Sequence, residues 1–101
     1  MEVEIYDKEL LKLYSTGRTK KIKIPENIKK KFLMRINIIQ AAANIYDLWE
    51  DKAAKFKEIK GENKYSMRLN RKYRLEMEVI WEDENKTVGT FIITKISKHY
   101  E

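Results

Sequence analysis

Apolar and polar residues alternate along two neighbouring segments in the second half of the chain. In residues 64–70 the apolar positions are Tyr65, Met67 and Leu69, and in residues 73–82 every odd-numbered position is apolar. A period of two is typical of a β-strand with one buried face, because successive side chains point to opposite sides of the strand. The pattern predicts two strands that form an antiparallel hairpin.

The same alternation predicts the register of this hairpin. Side chains that face each other must share a face of the sheet, so Tyr73 pairs with Leu69 and residues 70–72 form a three-residue loop. Arg68 then stands opposite Arg74. The remaining predicted pairs are Ser66 with Glu76 and Lys64 with Glu78.

A cross-strand pair of arginines is unfavourable unless an anion lies between the two guanidinium groups. A phosphate would fit between Arg68 and Arg74. The alternatives are that both groups extend into water or that Glu76 bridges them. The pair therefore marks a candidate phosphate site.

The first half of the chain is predicted to be mainly helical. Val3 and Ile5 indicate a short opening strand, after which Asp7 can cap a first helix that ends at residues 15–17. The apolar positions of this helix are Leu10, Leu11 and Tyr14.

A second, longer helix is predicted to begin near Pro25, which suits a first helical turn because it has no N–H to leave unpaired. Apolar residues then recur at spacings of three and four, as expected for one face of an amphipathic helix. They are Ile28, Phe32, Ile36, Ile39 and Ala43. Lys29, Lys30, Lys31 and Arg35 are interpreted as a solvated face. A third strand of the sheet is predicted around Val88, Phe91, Ile92, Ile93 and Ile96.

Length indicates a single domain over residues 1–101, and helices in the first half followed by strands in the second indicate the α+β class. There is no cysteine, which excludes disulfides and Cys-based zinc sites and is typical of a cytoplasmic protein. No apolar run approaches the roughly 20 residues that span a bilayer, and the acidic start of the chain does not resemble a signal peptide. We therefore expect a cytoplasmic protein with no membrane partner.

Positive charge is concentrated in residues 55–74, which hold eight Lys or Arg residues against two acids, a local charge of +6. The whole chain also carries +6, so the remaining residues balance. A focused positive field favours a partner with a phosphate backbone, because each neutralised phosphate releases a counterion. A solvated lysine surface is the alternative.

The ordered series of motifs resembles the RelE superfamily of bacterial toxins, in particular its HigB-like branch. The series runs from Leu10-Leu11-x-Leu-Tyr-x-Thr-Gly through Ala43-Asn44-Ile45-Tyr46-Asp47-Leu48 and Tyr73-Arg74-Leu75 to Lys98-His99-Tyr100. The resemblance implies a small antiparallel sheet with two N-terminal helices packed on one face and an active cleft on the other. It also implies a type II toxin that cleaves mRNA in the ribosomal A site without a metal or other cofactor. Such a toxin is silenced by a cognate antitoxin, which we expect to be a helix-turn-helix protein.

The resemblance also implies roles for individual residues. Lys60, before Gly61, matches a catalytic lysine, Arg74 matches the arginine that stabilises the transition-state phosphate, and His99, helped by Tyr100, matches the terminal proton-transfer group. The expected RNA-binding residues are Lys57, Lys64, Arg68, Arg71, Lys72 and Lys98. HigB-like toxins often close with Asp-Tyr-His, whereas this chain has Ser97-Lys98-His99-Tyr100 before Glu101. The acidic partner of that motif is therefore missing, and Lys98 is available for charge stabilisation.

Three other functions fit parts of the pattern. A non-catalytic RNA-binding protein would stack bases on Tyr65, Tyr73 and Trp81, but the alternation places these rings on the core face. A ParE-type inhibitor of DNA gyrase would share the fold but would not need proton-transfer groups. A metal nuclease would require the carboxylates of Glu76, Glu78 and Glu82 to converge, which alternate side chains about 7 Å apart on one strand do not do. An inactive remnant of such a toxin is the remaining alternative.

Overall fold

The computed structural model describes residues 1–59 and 63–98. The predicted α+β class is confirmed. The strands are β1 (Glu2–Ile5), β2 (Lys57–Ile59), β3 (Lys64–Arg68), β4 (Tyr73–Trp81) and β5 (Gly89–Lys98), and the helices are α1 (Lys8–Thr16), α2 (Glu26–Ala41) and α3 (Ile45–Glu50). Among these residues no helix combines the length and the apolar character that crossing a bilayer requires.

The strands form one sheet in the order β1-β5-β4-β3-β2. The pairs β2–β3, β3–β4 and β4–β5 are antiparallel, but β1 runs parallel to β5. The prediction of a purely antiparallel sheet is therefore wrong. Apolar alternation shows that a segment is a strand but not which neighbour it pairs with, and a parallel neighbour requires the long connection that the helices here supply.

The predicted hairpin register is confirmed. Arg68 stands opposite Arg74, and the pairs Ser66 with Glu76 and Lys64 with Glu78 follow as expected. The Leu69 N–H donates to the Tyr73 carbonyl at 2.9 Å, which closes the loop over residues 70–72.

Helix α1 begins and ends as predicted, but its buried face is partly different. Asp7 caps the N-terminus by accepting from the backbone N–H groups of Glu9 and Leu10, and Gly17 ends the helix in the left-handed conformation with φ of 74°. Leu13 is buried with Leu10, whereas Leu11 is 47% exposed. At 100° per residue, Leu13 returns to the side of Leu10 while Leu11 turns away from it.

Helix α2 buries the predicted face, since Ile28, Phe32, Ile36 and Ile39 are fully enclosed. Pro25 is the N-cap rather than a residue of the first turn, and the helix ends at Ala41, so Ala43 lies outside it and is exposed. The short helix α3 was not predicted. It begins where the Asn44 side chain accepts from the Tyr46 N–H at 3.0 Å, a local cap that apolar periodicity does not reveal.

One hydrophobic core unites the helices with one face of the sheet. Its members include Leu10 and Leu13 of α1, Phe32 and Ile36 of α2, and Leu48 of α3. The strands contribute Tyr65, Met67, Leu75, Met77, Val79, Phe91 and Ile93. The side chains that alternate with these strand residues, including both paired arginines, therefore lie on the other face.

A β-bulge changes the phase of β5 beside the arginine pair. Glu76 pairs with Lys95, but Met77 pairs with Ile93, so Thr94 is the extra residue, and its hydroxyl donates to the Glu76 carbonyl at 3.1 Å. As a result Ser97 stands opposite Arg74, on the arginine face. Bulges are frequent where a strand must redirect side chains toward a site.

Candidate nucleic-acid interface

A concave site of about 160 Å³ lies on the arginine face, beside the loop end of the β3–β4 hairpin. We call it the basic pocket, and its lining residues are Lys55, Lys57, Ser66, Arg68, Asn70, Arg71 and Arg74. Five of these residues are cationic and none is acidic. Since pockets for drug-sized ligands span about 300–1,000 Å³, the size and charge of this pocket suit a small anionic group.

Adjacent strands bring the lining residues together. Lys57 of β2 pairs with Ser66 of β3, and Arg68 pairs with Arg74 of β4. Ser66 and Arg68 are two positions apart on one strand, so they point to the same face. The pocket is therefore a consequence of strand register.

The hairpin loop adds Asn70 and Arg71. The Asn70 side-chain carbonyl accepts from the backbone N–H groups of Lys72 and Tyr73, both at 2.8 Å. The Arg68 Nε donates to the Asn70 backbone carbonyl at 3.2 Å. These bonds fix the loop and orient the Arg68 guanidinium at the same time.

Two further contacts hold the Arg68 backbone. Its N–H donates to the Ala54 carbonyl at 2.6 Å, and its carbonyl accepts from the Arg35 Nε at 3.0 Å. Arg35 is only 4% exposed, so the interpretation of Arg35 as part of a solvated face is wrong. Helical periodicity gave no sign of this role, because the partner is a backbone carbonyl 33 residues away.

Lys55, Ser66 and Asn70 were not among the predicted site residues. Lys55 lies within the basic stretch, and Ser66 lies on the arginine face of the predicted hairpin. The sequence therefore carried a signal that both residues lie near Arg68. Asn70 carried only the signal of a turn residue. Its contribution depends on the loop conformation that the folded hairpin adopts.

Three predicted RNA-binding lysines do not line the basic pocket. Lys64 lies farther along β3, opposite Glu78, and Lys72 is exposed on the hairpin loop. Lys98 pairs with Tyr73, and its ammonium lies 6.0 Å from the centre of the Tyr73 ring. Since Tyr73 packs against the core, Lys98 is on the sheet face opposite the arginines.

The predicted catalytic residues Lys60, His99 and Tyr100 lie outside the described residues. The described neighbours are Ile59 at the end of β2 and Lys98 at the end of β5. Of the four predicted catalytic residues, Arg74 is the one whose surroundings the structure describes.

The aromatic residues near the hairpin belong to the core. Tyr65 stacks on Phe56 with ring centres 5.2 Å apart, and Trp81 meets Tyr65 edge-on at 5.8 Å. Burial raises the pKa of the Tyr65 phenol, and the negative charge of Glu58 raises it further. These rings therefore do not form an open platform for base stacking on the arginine face.

A second basic stretch lies outside the pocket. Residues 18–31 hold seven Lys or Arg residues against one acid, Glu26. Glu26 pairs with Lys29 at 3.0 Å. Lys21 and Lys23 are exposed and alternate with the half-buried Ile22 and Ile24. The residues outside 55–74 therefore have no net charge in total, as expected, but their positive and negative charges are not evenly distributed along the chain.

Comparison with known proteins gives one family and one related fold. Residues 3–93 match the family of HigB-like toxins, described as the RelE-like toxin of type II toxin-antitoxin system HigB. The solved structure of the YoeB/ParE toxin from Agrobacterium tumefaciens is similar, with a TM-score of 0.54 at 15% sequence identity, over 99% of this chain and 100% of that chain. The curated proteins include no significant match.

Proposed function

Because this chain belongs to the family of HigB-like, RelE-like toxins of type II toxin-antitoxin systems, we propose that it inhibits translation by cutting mRNA in the ribosomal A site. The observation that carries this proposal is the pair of facing arginines, Arg68 and Arg74, in a pocket whose described lining residues include five cations and no acid. Such a pocket favours a phosphate group, and a phosphodiester is the bond that an endoribonuclease must bind.

The proposed reaction is an intramolecular transesterification. The ribose 2′-oxygen attacks phosphorus, the bond from phosphorus to the 5′-oxygen breaks, and the products are a 2′,3′-cyclic phosphate and a 5′-hydroxyl. A base removes the 2′-proton, a cation stabilises the pentacoordinate phosphate, and an acid protonates the 5′-oxygen.

In this scheme Arg74 stabilises the extra negative charge of the transition state. Arg68 contacts the same phosphate from the opposite strand, and its guanidinium is already oriented by the Asn70 carbonyl. Preorganised donors are effective because they need not reorient as the charge develops. Lys57 and Arg71 then bind phosphates on either side of the cut.

Proton transfer is assigned to the end of the chain. Ser97 stands opposite Arg74, and His99 and Tyr100 follow two and three residues later in the sequence. We assign His99 as the proton-transfer group and Tyr100 as its helper, with Lys60 as a further cation at the scissile phosphate.

The direct test is a cleavage map of mRNA on programmed ribosomes treated with the purified protein. We expect discrete cuts within the A-site codon that carry a 5′-hydroxyl on the downstream fragment, and no cuts with the Arg74→Ala/His99→Ala variant. Intact mRNA in the presence of folded wild-type protein would overturn the proposal. So would an unchanged cleavage pattern with the double variant.

The same experiment separates the proposed nuclease from the alternatives on this fold. A gyrase inhibitor would leave mRNA intact and block supercoiling of plasmid DNA by purified gyrase. A non-catalytic RNA-binding protein would bind RNA and leave both reactions unchanged.

A toxin of a type II system pairs with an antitoxin, and we propose that this antitoxin is a helix-turn-helix protein encoded beside the toxin. The ribosome as target places the action in the cytoplasm. Co-expression with the neighbouring gene is expected to restore growth, and failure of that gene product to bind the toxin would contradict the assignment.

A further inference from the structure

The backbone of Lys55 adopts a conformation that lysine rarely occupies. Its φ is 43°, within the left-handed region, where the side chain of an L-residue is crowded. Asn63 and Lys86 are the other non-glycine residues with positive φ among those described, at 56° and 55°. Asparagine tolerates this region through its short polar side chain, but lysine has no such advantage. Glycine would suit both lysine positions better.

The position of Lys55 is fixed by its neighbour. Ala54 is buried, and its carbonyl accepts the Arg68 N–H at 2.6 Å. Lys55 follows directly and lines the basic pocket. The strained turn thus places a cation beside Arg68, and residues strained in this way cluster at functional sites.

Ser66 provides a second, independent observation in the same pocket. The residue is 1% exposed and lines the pocket together with Lys55. Among the described residues no hydrogen bond of the Ser66 hydroxyl is present. In the described part of the chain, the fully enclosed side-chain polar atom without a partner is Trp81 Nε1, so the Ser66 hydroxyl keeps its opening to the pocket and can donate to a ligand oxygen.

We propose that Lys55 and Ser66 form a phosphate subsite within the basic pocket. An RNA phosphate oxygen accepts a hydrogen bond from the Ser66 Oγ, and the Lys55 ammonium neutralises its charge. The identity of the ligand as RNA rests on the proposed function. The backbone strain at Lys55 is retained because a glycine there would remove the cation.

The experiment compares glycine substitutions at the two strained lysines. Lys55→Gly and Lys86→Gly each remove the backbone strain of a lysine in the left-handed conformation, and each removes one positive charge. Lys86 does not line the pocket and serves as the control. We expect both variants to raise the melting temperature by about 4 °C. The strain removed from the folded state outweighs the conformational entropy that glycine adds to the unfolded chain. Binding of a six-nucleotide single-stranded RNA at 0.1 M salt is expected to weaken about fivefold for Lys55→Gly and to stay unchanged for Lys86→Gly.

The hydroxyl is tested by Ser66→Ala, which removes a group without a described protein partner. We expect an unchanged melting temperature and about tenfold weaker binding of the same RNA, as for a hydrogen bond to a charged group. Lys55→Gln, which removes the charge and keeps a long side chain, is expected to weaken binding without raising the melting temperature.

Wild-type affinity in both Lys55→Gly and Ser66→Ala would overturn the subsite. Equal weakening by Lys86→Gly would overturn it as well, because the effect would then be one of overall charge. Failure of the proposed function looks different: wild-type protein would leave ribosome-bound mRNA intact, while binding of the short RNA would still depend on Lys55 and Ser66.

Discussion

Arg68 stands directly opposite Arg74 across the β3–β4 hairpin, and both side chains line the same concave surface. Like charges directly opposite each other on neighbouring strands are unfavourable, and an anion bound between the two guanidinium groups would offset this repulsion. The backbone carbonyls of Ala54 and Asn70 and the Arg35 side chain hold Arg68 in place. The protein therefore maintains a cationic pair that a bound phosphate would stabilise.

Loss of Arg74 together with His99 is expected to abolish toxicity. The Arg74→Ala/His99→Ala variant, expressed without antitoxin, should permit normal growth and translation, because both charge stabilisation and proton transfer are removed. Arg74→Ala alone is expected to slow cleavage by about 10²–10³-fold, as for loss of one preorganised transition-state donor. Single-turnover cleavage on programmed ribosomes measures this loss, and full toxicity of the double variant would show that the proposed site is wrong.

Substitutions at Asn70 are expected to separate folding from binding. Asn70→Ala removes the acceptor of two backbone N–H groups and should lower the free energy of unfolding by about 1–2 kcal/mol. Asn70→Asp keeps the acceptor but places a carboxylate among the pocket cations, so stability should be retained while RNA affinity falls. Urea unfolding and RNA titration of the two variants measure these effects, and equal RNA affinity in wild type and Asn70→Asp would contradict a role of the pocket in anion binding.

Asp83 is expected to make stability depend on pH in the acid range. The Thr87 hydroxyl and the Val88 N–H donate to its carboxylate and lower its pKa below the ordinary value of 3.8. A carboxyl with a depressed pKa stabilises the fold fully above its unfolded pKa, and this contribution is lost as pH falls through the lower, folded value. The difference in urea midpoint between wild type and Asp83→Asn should thus be larger at pH 7 than at pH 3, and a difference independent of pH would refute this origin.

Two glycines are expected to differ in their tolerance of alanine. A Cβ at Gly89 would meet the Ile80 carbonyl oxygen at 2.7 Å and Val79 Cγ1 at 2.9 Å, whereas a Cβ at Gly17 would meet nothing within 4 Å. Gly89→Ala should cost about 3 kcal/mol because β5 must move away from β4. Gly17→Ala should cost about 1 kcal/mol through its positive φ alone. Calorimetric unfolding of both variants tests the order, and a larger cost at Gly17 would contradict the close approach at Gly89.

The exposed lysines of residues 18–31 are expected to support attachment to the ribosome. Lys21→Gln/Lys23→Gln should weaken ribosome association at 0.1 M salt by at least about tenfold, since two phosphate contacts are lost. Lys8→Gln/Lys52→Gln removes the same charge from exposed positions outside both basic stretches and serves as the matched control. Equal effects of the two variants in sedimentation assays would show that only net charge matters.

Part of the site was predictable because it depends on local rules. Strict alternation on both sides of the hairpin fixed the pairing of Arg68 with Arg74, since a shift of one residue would expose the apolar face. Ser66 followed from the same register but was not singled out, because nothing in the sequence shows that a small polar strand residue is buried. Lys55 was not singled out because its left-handed backbone depends on the turn anchored by Ala54.

The remaining differences have a common cause in contacts between distant segments. Arg35 was assigned to a solvated face because its partner, the Arg68 carbonyl, lies in another element. The parallel pairing of β1 with β5 and the bulge at Thr94 likewise depend on how separate segments meet. Helical and strand periodicity describe one segment at a time and cannot report such contacts.

The sequence by itself determined the α+β class, the amphipathic α2, the hairpin register and the concentration of positive charge in residues 55–74, because each follows from local periodicity or composition. The family resemblance rests on the same ordered residues. Only the tertiary structure decided that Lys55, Ser66 and Asn70 join Arg68 and Arg74 in one pocket, and that Lys64, Lys72 and Lys98 lie outside it. The physical reason is that the pocket forms where the turn before β2 meets the β3–β4 hairpin, through contacts between separate segments such as the hydrogen bond from the Arg68 N–H to the Ala54 carbonyl.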